Sequence, residues 1–377
     1  MSKTLQDYAT LINDTIQSNE INHYITTDNM CQNLGGIDTL KNINIPQGKV
    51  RSFQKDDVLL SNIRLYFRKV YRAKQKGGCS SDVLVFRAKH IDSATLFAIL
   101  SSQIFTDYAC SGSQGSKMPR GNKTHMMDFK IPTINFTIAK IFNSIQNKIE
   151  NNHKINELLH KILELLYEQY FVRFDFLDGN NKPYQTSGGK MKFSKELNRL
   201  IPSGWSVRFL NHKIVSTYQP KTISKTLLND SYSYSVYGGG GIIGRFTEYN
   251  HEQSEFIISC RGQCGISYLT LPKSWITGNA MVIRPTKSYT SKTYLYHTIK
   301  KYKLTNYITG SVQPQITRQN LSTMPILIPK RKTLNKWNNI SSLLWNLIHN
   351  NMQSTQTLTA LRDFLLPLLL KQQVKPQ

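Results

Sequence analysis

The feature that most constrains this chain is an internal repeat with a period of about half its length. Four short segments each occur twice, and the copies begin 197 or 198 residues apart, at positions 59 and 257, 85 and 282, 112 and 310, and 131 and 328. The pairs are Leu59-Leu60-Ser61 with Ile257-Ile258-Ser259, Val85-Phe86-Arg87 with Val282-Ile283-Arg284, Gly112-Ser113 with Gly310-Ser311, and Ile131-Pro132 with Ile328-Pro329. A period this long indicates a duplicated domain rather than a solenoid of short repeats.

A long stretch with helical hydrophobic spacing follows each Ile-Pro pair, at residues 133–170 and 333–371. Apolar residues recur there with a period of about 3.5, which predicts a coiled-coil seam on each helix. The first seam is Ile138, Ile141, Ile145, Ile155, Leu159, Ile162 and Leu166, widened on one flank by Phe142, Ile149 and Leu163. The second seam is Trp337, Ile340, Leu344, Leu347, Leu358, Leu361, Leu365 and Leu368. A helix over residues 133–170 would reach roughly 57 Å.

The connectivity predicts that the two helices run antiparallel. The first carries the chain out of one compact region, and the second begins where the other region ends, so the second must run back to bury its seam. Both seams become polar at mid-length, at Lys148 and Asn152 in the first helix and at Asn351 and Ser354 in the second. Polar seam residues fix register at a cost in stability, so we expect them to pair. The alternative is two surface helices, each packed on its own domain.

The two compact regions predict a mixed α/β (α+β) fold. Their strand-like runs are residues 57–63, 82–88, 256–260 and 280–284, and their internal helices are residues 92–106 and 294–302. The predicted domains are residues 1–132, a spacer helix over 133–172, residues 173–329, and a last helix over 330–377. Residues 173–204 are predicted to be a connector, because turn formers are frequent there. The two domains would be related by pseudo-two-fold symmetry and separated by the antiparallel helices.

The net charge of the chain predicts an anionic partner. Lys and Arg number 48 against 23 Asp and Glu, which gives a formal net charge of +25 at pH 7. A surplus of this size repels itself unless an anion is present, and nucleic acid is the usual one. The alternative is a basic character that serves solubility alone.

Several loop segments carry side chains suited to DNA. Arg and Gln can make the bidentate base contacts that discriminate guanine and adenine, each worth about 1–3 kcal/mol. Lys neutralises phosphate as a point charge. The candidate DNA contacts are Arg64, Arg68, Lys69, Arg72, Lys117, Arg120 and Lys123 in the first region and Tyr237, Arg245, Arg261, Gln263, Gln313, Gln315 and Arg318 in the second. For each single residue the alternative is a solvated basic surface.

Catalytic motifs are missing from the sequence. It contains no GxxxxGK[ST] phosphate loop, no HExxH, and no Asn-Pro-Pro-aromatic motif of amino methyltransferases. Residues 239–244 fit the dinucleotide pattern formally, but the flanking sequence lacks the strand and helix that this pattern requires, so we predict a tight β turn. These absences in a strongly basic chain favour a binding protein over an enzyme.

Two further properties concern location and metals. No run of 18 or more apolar residues exists, which predicts that nothing spans a membrane, and the N-terminus has no signal-peptide core. The five cysteines are an odd, scattered set, and no Cys or His pair completes a zinc site with Cys260 and Cys264. We therefore expect a reduced, cytoplasmic protein without a metal.

The chain resembles the specificity subunit of type I restriction–modification enzymes along almost its full length. The segments that carry the resemblance are Asp57-Val58-Leu59-Leu60-Ser61 with Arg64, Asp82-Val83-Leu84-Val85-Phe86-Arg87, Pro183-Tyr184 with Gly188-Gly189-Lys190-Met191, Ile201-Pro202-Ser203-Gly204-Trp205, residues 237–244, and residues 310–329 leading into the last helix. Their order, together with the duplication, makes the resemblance specific. One departure is that the Ile-Pro-x-Gly-Trp opening of the second region has no counterpart before the first, which begins near Leu5. Another is that Pro367 interrupts the last helix.

The resemblance implies two target recognition domains that each read half of a split, asymmetric site on double-stranded DNA. It implies that two methyltransferase subunits dock on the long helices and that restriction subunits with an ATP-driven motor complete the nuclease. S-adenosylmethionine, ATP and Mg²⁺ would then belong to the partner subunits, with no cofactor and no catalysis in this chain. The spacer and docking residues would be Ile138, Ile145, Asn152, Leu159, Leu166, Leu344, Asn351, Leu358 and Leu365.

Three other interpretations stay open from the residues alone. The first is the specificity component of a related restriction system that serves a fused methyltransferase–nuclease. The second is a non-catalytic structural adaptor whose positive charge meets RNA or an acidic protein. The third is an enzyme with an unfamiliar site.

Overall fold

The structure is a computed structural model that describes residues 3–39, 41–131, 134–229, 232–262, 264–310 and 313–370. The chain divides into two compact units. Unit 1 consists of residues 1–155 and 351–377, and unit 2 consists of residues 156–350. Each unit therefore contains one copy of the repeated sequence and a part of each long helix.

Unit 1 is built on a four-stranded antiparallel sheet. Its strands lie in the order Ala9–Ile12, Val83–Ala88, Val58–Ser61 and Val70–Arg72. The central strand Val58–Ser61 is buried along its whole length. Its alternate residues enter two different core clusters, because successive side chains of a strand point to opposite faces. A sheet covered on both faces explains why this segment is a continuous apolar run rather than an alternating one.

Unit 2 contains the same sheet. Its strands lie in the order Val215–Tyr218, Ala280–Pro285, Phe256–Ser259 and Ser267–Leu269, again antiparallel throughout. The pairing registers also repeat, since Leu59 lies opposite Val85 in unit 1 and Ile257 lies opposite Val282 in unit 2. The duplication read from the sequence is therefore a duplication of structure, and the mixed α/β fold class is confirmed.

A second sheet accompanies the first in each unit. Unit 1 has Thr15–Gln17, Lys49–Phe53, Gly77–Cys79 and Tyr24–Ile25 in that order, and unit 2 has Gly241–Phe246, Tyr234–Gly238 and Trp275–Ile276. In both, the last two strands named are parallel. Gly77 and Gly78 lie within a strand of the unit 1 sheet. A Cβ atom on Gly77 would stand 2.6 Å from the carbonyl oxygen of His23, so only glycine permits this close pairing.

The internal helix predicted over residues 92–106 is two helices, Ser93–Leu100 and Gln103–Ser111. The break occurs at Ser102, whose backbone is extended and whose hydroxyl accepts a hydrogen bond from Phe105 N at 3.2 Å. Such an N-cap starts a new helix, so a pattern of apolar spacing alone runs the two together. The corresponding helix of unit 2, Lys292–Lys300, is single.

The chain start has a structural counterpart in unit 2. Ile131 N donates to Lys3 O and Leu5 N donates to Phe129 O, both at 2.9 Å, so the first described residues pair with residues 129–131. In unit 2 the strand Ser206–Phe209 pairs with Pro325–Ile328 in the same antiparallel sense. The first region thus has the same pairing as the second.

The region predicted to be a connector is more ordered than its turn residues suggest. It contains an antiparallel hairpin, Met191–Ser194 with Arg199–Pro202. Before the hairpin, Phe176 stacks between Tyr184 and Trp205 at ring-centroid distances of 4.8 and 5.1 Å. This aromatic stack gives residues 173–204 a core of their own, which turn formers do not signal.

The remaining elements are short. The other α-helices are Leu5–Tyr8, Lys123–Met127 and Arg318–Ser322, and one further strand pair joins Ile308–Thr309 to Gln315–Ile316. Single 3-10 turns lie at Ser18–Glu20, Leu65–Phe67, Lys225–Leu227 and Leu304–Tyr307.

The two long helices are present. The first long helix spans Phe136–Tyr167 and continues through a short π-helical stretch, Glu168–Val172. The second long helix spans Arg331–Leu365 and passes into a 3-10 turn, Leu366–Leu370. Pro367 lies in that turn, as expected for a residue that cannot donate the helical hydrogen bond. The predicted helix start at Thr133 and the predicted end at Lys371 lie outside the described residues.

Within each unit the two long helices pair antiparallel, as predicted. In unit 1, Arg362 Nη1 donates to Gln146 Oε1 at 3.0 Å and Asn152 Nδ2 donates to Thr355 Oγ1 at 3.2 Å. In unit 2, Asn156 Nδ2 donates to Ile348 O at 3.4 Å, and the rings of His160 and Trp345 lie 5.0 Å apart. As the residue number rises on one helix it falls on the other. The alternative of two unpaired surface helices is excluded within each unit.

The buried face of both helices is displaced by one residue from the predicted seam. Phe142, Ile149 and Leu163, assigned to a flank, are buried, whereas the predicted seam residues Ile141, Ile155 and Ile162 are 43 to 45% exposed. On the second long helix Ser341, Trp345, Ile348 and Arg362 are buried, each one residue after a predicted seam position. The period of 3.5 is right, and the register is displaced by one at these positions, although the predicted seam residues Ile145 and Trp337 are buried. Among the nine predicted spacer residues, Ile145 and Asn152 are buried and the other seven are half-buried.

The polar pairing at mid-length is also corrected. Asn152 is buried and donates to Thr355, a partner that was not predicted, and Lys148 is exposed. Thr355 follows Ser354 directly, so the error is the same displacement by one residue. A polar contact at mid-length therefore exists in unit 1, with a partner that the sequence did not indicate.

Candidate nucleic-acid interface

Two loops of unit 1 meet beyond the end of the central strand. Residues 62–64 follow Val58–Ser61, and a β-bridge joins Ile63 to Arg120 of the loop at residues 112–122. Arg64 N donates to Pro119 O at 2.9 Å, and Gly121 N donates to Asn62 O at 3.1 Å. We name residues 62–64 and 112–122 loop pair 1. The sequence indicated the basic character of both loops but not that they lie together.

Unit 2 has an equivalent loop pair. A β-bridge joins Arg261 to Gln315, and Ile316 N donates to Cys260 O at 3.1 Å. The bridge positions 63 and 261 differ by 198, and positions 120 and 315 differ by 195, so the bridge belongs to the repeat. We name residues 260–262 and 313–318 loop pair 2. The candidate Gln263 lies outside the described residues.

An ion pair anchors the strand that leads into each loop pair. Asp57, 2% exposed, accepts hydrogen bonds from Arg87 Nε and Nη2, both at 2.8 Å. In unit 2 Glu255 accepts from Arg284, with Nη2 at 2.6 Å from Oε1. In each case the bond to the carboxylate raises the pKa of the arginine, which therefore stays charged. These two ion pairs were not predicted from the sequence. Both arginines, however, belong to one repeated segment, Val85-Phe86-Arg87 and Val282-Ile283-Arg284.

Three candidates of unit 1 lie exposed at loop pair 1 and the short helix that follows it. They are Lys117, Arg120 and Lys123. The side chain of Arg120 is 62% exposed, and its Nη2 lies 2.9 Å from Asp82 Oδ1. Arg64 is half-buried, and its guanidinium donates to Lys117 O at 3.4 Å, which ties the two loops together. These residues give loop pair 1 and the helix after it an exposed positive charge.

The other three basic candidates of unit 1 bind the protein itself. Arg68 Nη2 donates to Ser101 O at 2.9 Å, Lys69 Nζ donates to Thr27 O at 2.5 Å, and Arg72 Nη1 donates to Asn143 Oδ1 at 2.9 Å. Burial lowers the pKa of Arg68 and of Lys69. These residues connect elements of unit 1, so we remove them from the candidate interface. A basic run in sequence gives no sign of which members face inward.

In unit 2 the exposed candidates are Arg261, Gln313, Gln315 and Arg318. Arg318 begins the helix Arg318–Ser322, whose N-cap Thr317 accepts from Asn320 N at 3.1 Å. Arg318 also borders an open cleft of about 460 Å³, together with Asn211 and His212. Those two residues were missed, because they stand alone in sequence and lie more than 100 positions from Arg318.

The Gly-rich segment of unit 2 is the predicted β turn. Residues 239 and 240 connect the antiparallel strands Tyr234–Gly238 and Gly241–Phe246. Tyr237 is 3% exposed and its hydroxyl accepts from Leu271 N at 3.1 Å, so it is a core residue and not a DNA contact. Burial raises its pKa to about 12. Arg245 Nη2 donates to Ser233 O at 2.7 Å across the hairpin.

Two absences concern the described residues only. No group of three or more His, Cys, Asp or Glu side chains is placed there to hold a metal ion. No helix within the same ranges is both long and apolar enough to cross a membrane.

The chain is similar in sequence to one protein family and in fold to a solved structure. Residues 202–361 match the family model described as type I restriction modification DNA specificity domain. This match covers the second copy of the repeat and most of the second long helix. The chain is also 22% identical over 312 residues to the type I restriction enzyme MjaIX specificity subunit of Methanocaldococcus jannaschii. That alignment covers 73% of this chain and 67% of the relative.

Two solved structures align with the chain, and one of them has a similar fold. The S subunit of a type I restriction–modification system from M. genitalium aligns with a TM-score of 0.63 at 14% identity, over 99% of this chain and 96% of that one. The HsdS subunit from Thermoanaerobacter tengcongensis aligns with a TM-score of 0.34 at 14% identity, over 97% and 95% of the two chains. At 14% identity, the similarity to the M. genitalium subunit establishes the fold alone. The two chains share that fold over nearly their whole length.

Proposed function

The chain belongs to the type I restriction–modification specificity-subunit family, and from that premise we propose that it reads a bipartite, asymmetric site on double-stranded DNA. Each unit would read one half of the site. The observation that carries the proposal is the pair of equivalent loop pairs at the same place on two equivalent sheets. Because the two units place their loops in the same way on the same sheet, each unit can contact DNA in the same manner.

The side chains of the two loop pairs differ, which supports the asymmetry of the site. Loop pair 1 exposes Lys117 and Arg120, whereas loop pair 2 exposes Arg261, Gln313 and Gln315. Arg in the major groove favours guanine and Gln favours adenine. Two readers with different donor and acceptor groups select different bases, so the half-sites differ.

We further propose that the long helices are the surface on which methyltransferase subunits dock. Both helices expose large apolar side chains, although each has a buried face. In unit 2 these are Leu158, Ile162 and Leu165 on the first long helix and Ile340, Leu343 and Leu347 on the second, between 37 and 66% exposed. Exposed apolar rows of this kind mark protein contacts. The length of the helices would then set the gap between half-sites.

The chain itself would catalyse nothing. S-adenosylmethionine would be bound by the methyltransferase subunits, and ATP with Mg²⁺ by the restriction subunits. The sequence lacks the motifs of those reactions, and the polar residues of the two loop pairs are those of recognition rather than of proton transfer.

The test is reconstitution with the methyltransferase subunits, followed by methylation mapping of DNA exposed to the complex. We expect adenine methylation at one motif made of two unlike halves and a fixed gap, and none when this chain is omitted. The adaptor interpretation predicts no motif and retention of RNA or an acidic protein instead. The fused-system interpretation predicts that a single large methyltransferase–nuclease co-purifies, rather than two methyltransferase subunits per chain.

A variant series separates reading from docking. Gln313→Ala combined with Gln315→Ala should relax one half of the motif and leave the other half and subunit assembly unchanged. Leu343→Lys should reduce co-purification of the methyltransferase subunits without changing DNA binding by the isolated chain. Glu252→Gln, an exposed change away from both surfaces, serves as the control. Loss of assembly in the double glutamine variant would contradict the assignment of base reading to loop pair 2 and of subunit docking to the long helices.

A further inference from the structure

We infer that Arg120 reads a guanine in the half-site of unit 1, and that Asp82 holds its guanidinium in the reading position. This inference rests on the proposed function and names a specificity-determining residue within it. It follows from the contacts of Arg120 and from a comparison with every other arginine of unit 1.

The other arginines of unit 1 also have their guanidinium groups bound within the protein, but all of them are less exposed than Arg120. Their partners are the carbonyl oxygens of Ser81 and Val83 for Arg51, Lys117 O for Arg64, Ser101 O for Arg68, Asp56 and Asn143 for Arg72, Asp57 for Arg87, and Gln146 with Asp363 for Arg362. Among the arginines of unit 1 that form ion pairs, Arg120 has the most exposed side chain, at 62%. It is therefore the arginine of unit 1 best placed to meet a base edge.

The backbone of Arg120 is fixed on two sides. Gln114 N donates to Arg120 O at 2.9 Å, and Arg120 N donates to Gln114 O at 2.8 Å, which closes the loop at residues 114–120. The bridge to Ile63 joins the same residue to the other loop. An exposed side chain on a fixed backbone loses less conformational entropy on binding than one on a free loop.

The carboxylate of Asp82 restrains the guanidinium without using up its donors. Its Oδ1 lies 2.9 Å from one terminal nitrogen, Nη2. A guanidinium has five N–H donors in a planar fork, and guanine offers two acceptors, O6 and N7, to that fork in the major groove. Asp82 is itself held in place, because Asn62 N donates to Asp82 O at 2.8 Å. The acceptor that orients Arg120 thus belongs to the same framework as loop pair 1.

The surroundings supply phosphate contacts rather than competing base readers. Lys117 and Lys123 are exposed near Arg120 in sequence on either side. A lysine ammonium binds phosphate as a point charge and lacks the planar fork. Unit 1 therefore combines one restrained arginine for base recognition with lysines for affinity.

The experiment uses the full chain assembled with its methyltransferase subunits. The half-site relaxed by Gln313→Ala with Gln315→Ala is assigned to unit 2, and the other half to unit 1. Duplexes then carry 7-deazaguanine, which lacks the N7 acceptor, at each guanine of the unit 1 half-site in turn. We expect one position at which the wild-type complex loses affinity. The loss should be a part of the roughly 5- to 150-fold that a whole bidentate contact provides, because O6 remains as an acceptor.

Variants locate that loss on Arg120. In Arg120→Ala the same position should tolerate any base, and 7-deazaguanine there should cost nothing further. Arg120→Lys should not restore the preference, and Asp82→Asn should weaken it in part. Lys123→Ala, the matched control, should lower affinity for all sequences alike and leave the preference intact.

Each outcome decides a different point. A wild-type complex without a two-part motif overturns the proposed function and this inference with it. A two-part motif whose unit 1 half lacks guanine, or retains its guanine preference in Arg120→Ala, overturns the inference alone. The 7-deazaguanine series on the wild-type complex needs no Arg120 variant, so a folding defect in Arg120→Ala would not rescue the inference.

Discussion

Asp57 and Glu255 occupy equivalent positions in the two units, and each binds an arginine of the neighbouring strand. The acid differs in length between the copies, yet the ion pair is retained. A buried carboxylate without its partner is costly, because the charge has left water and gains nothing in return. These two pairs therefore matter more to the sheets than the exposed ion pairs do.

Arg87→Ala should lower the free energy of unfolding by about 3 kcal/mol, since it leaves Asp57 buried with only the Gln54 amide as a donor. Lys273→Ala removes an ion pair in which both side chains are more than half exposed and should cost less than about 1 kcal/mol. Urea unfolding measures both. Equal effects in the two variants would show that burial of Asp57 is not what makes the first pair important.

Unit 2 buries two histidines in an aromatic cluster. His297 packs between Tyr167 and Trp337, with ring centroids 5.6 and 5.3 Å away, and His349 packs on Trp345 at 5.8 Å. Burial lowers the pKa of His297 to about 3 and that of His349 to about 4. The cationic neighbours Lys292, Lys300 and Lys301 act in the same direction. Both rings are therefore neutral in the folded state.

This burial predicts a loss of stability in mild acid. Each histidine titrates near 6.5 when unfolded, so its contribution is complete above that pH and falls as pH drops from 6.5 towards about 4. The slope is about 1.4 kcal/mol per pH unit for each histidine. His349→Phe should reduce the total slope by about 1.4 kcal/mol per pH unit, measured by urea unfolding from pH 7.5 to 5. An unchanged slope in His349→Phe would contradict the role of its burial.

At the scale of the elements, the long helices show why a hydrophobic pattern gives the period but not the register. Polar side chains occupy the buried face, among them Gln146, Asn152, Ser341 and Arg362. Leucines and isoleucines occupy the row beside it and remain partly exposed. A search for the most apolar row therefore selects the neighbouring one.

Two adjacent residues test the register directly. Phe142 is fully buried and Ile141 is 43% exposed. Phe142→Ala should cost about 3–5 kcal/mol through the cavity that it leaves, whereas Ile141→Ala should cost less than about 1 kcal/mol. Thermal unfolding of the two variants distinguishes them. The reverse order would restore the register predicted from the sequence.

Much of the fold follows from the sequence, and less of the interface does. The duplication, the central strands and the antiparallel helices follow from periodicity and spacing. Ser102 as a helix boundary depends on one hydroxyl group, which apolar spacing ignores. Arg68 and Arg120 look alike in sequence, but one binds Ser101 O and the other stays exposed, because tertiary neighbours decide which side of a loop faces water.

At the scale of the whole molecule, the net charge of +25 is the dominant property. Like charges oppose compaction, so such a surplus favours association with a polyanion. Binding to DNA then releases counterions from the phosphates that the protein neutralises. Affinity and specificity should consequently respond to different residues.

Salt dependence measures this division. The logarithm of the binding constant should fall with the logarithm of salt concentration, with a slope of about −0.9 per phosphate neutralised. Lys117→Ala should reduce the magnitude of the slope by about one. Gln313→Ala, which removes no charge, should leave it unchanged. A flat dependence in the wild type would indicate a protein partner rather than DNA.

The apolar rows on the long helices have a consequence for synthesis. Leu158, Leu165 and Leu343 are each more than half exposed to solvent. Exposed apolar surface of this kind favours aggregation of the uncomplexed chain. If companion subunits cover these side chains, as we propose, surplus copies made without the companions would aggregate. A cell that uses such a protein therefore gains from coupling its translation to that of the companions, so that ribosomes deliver all of them in fixed proportion.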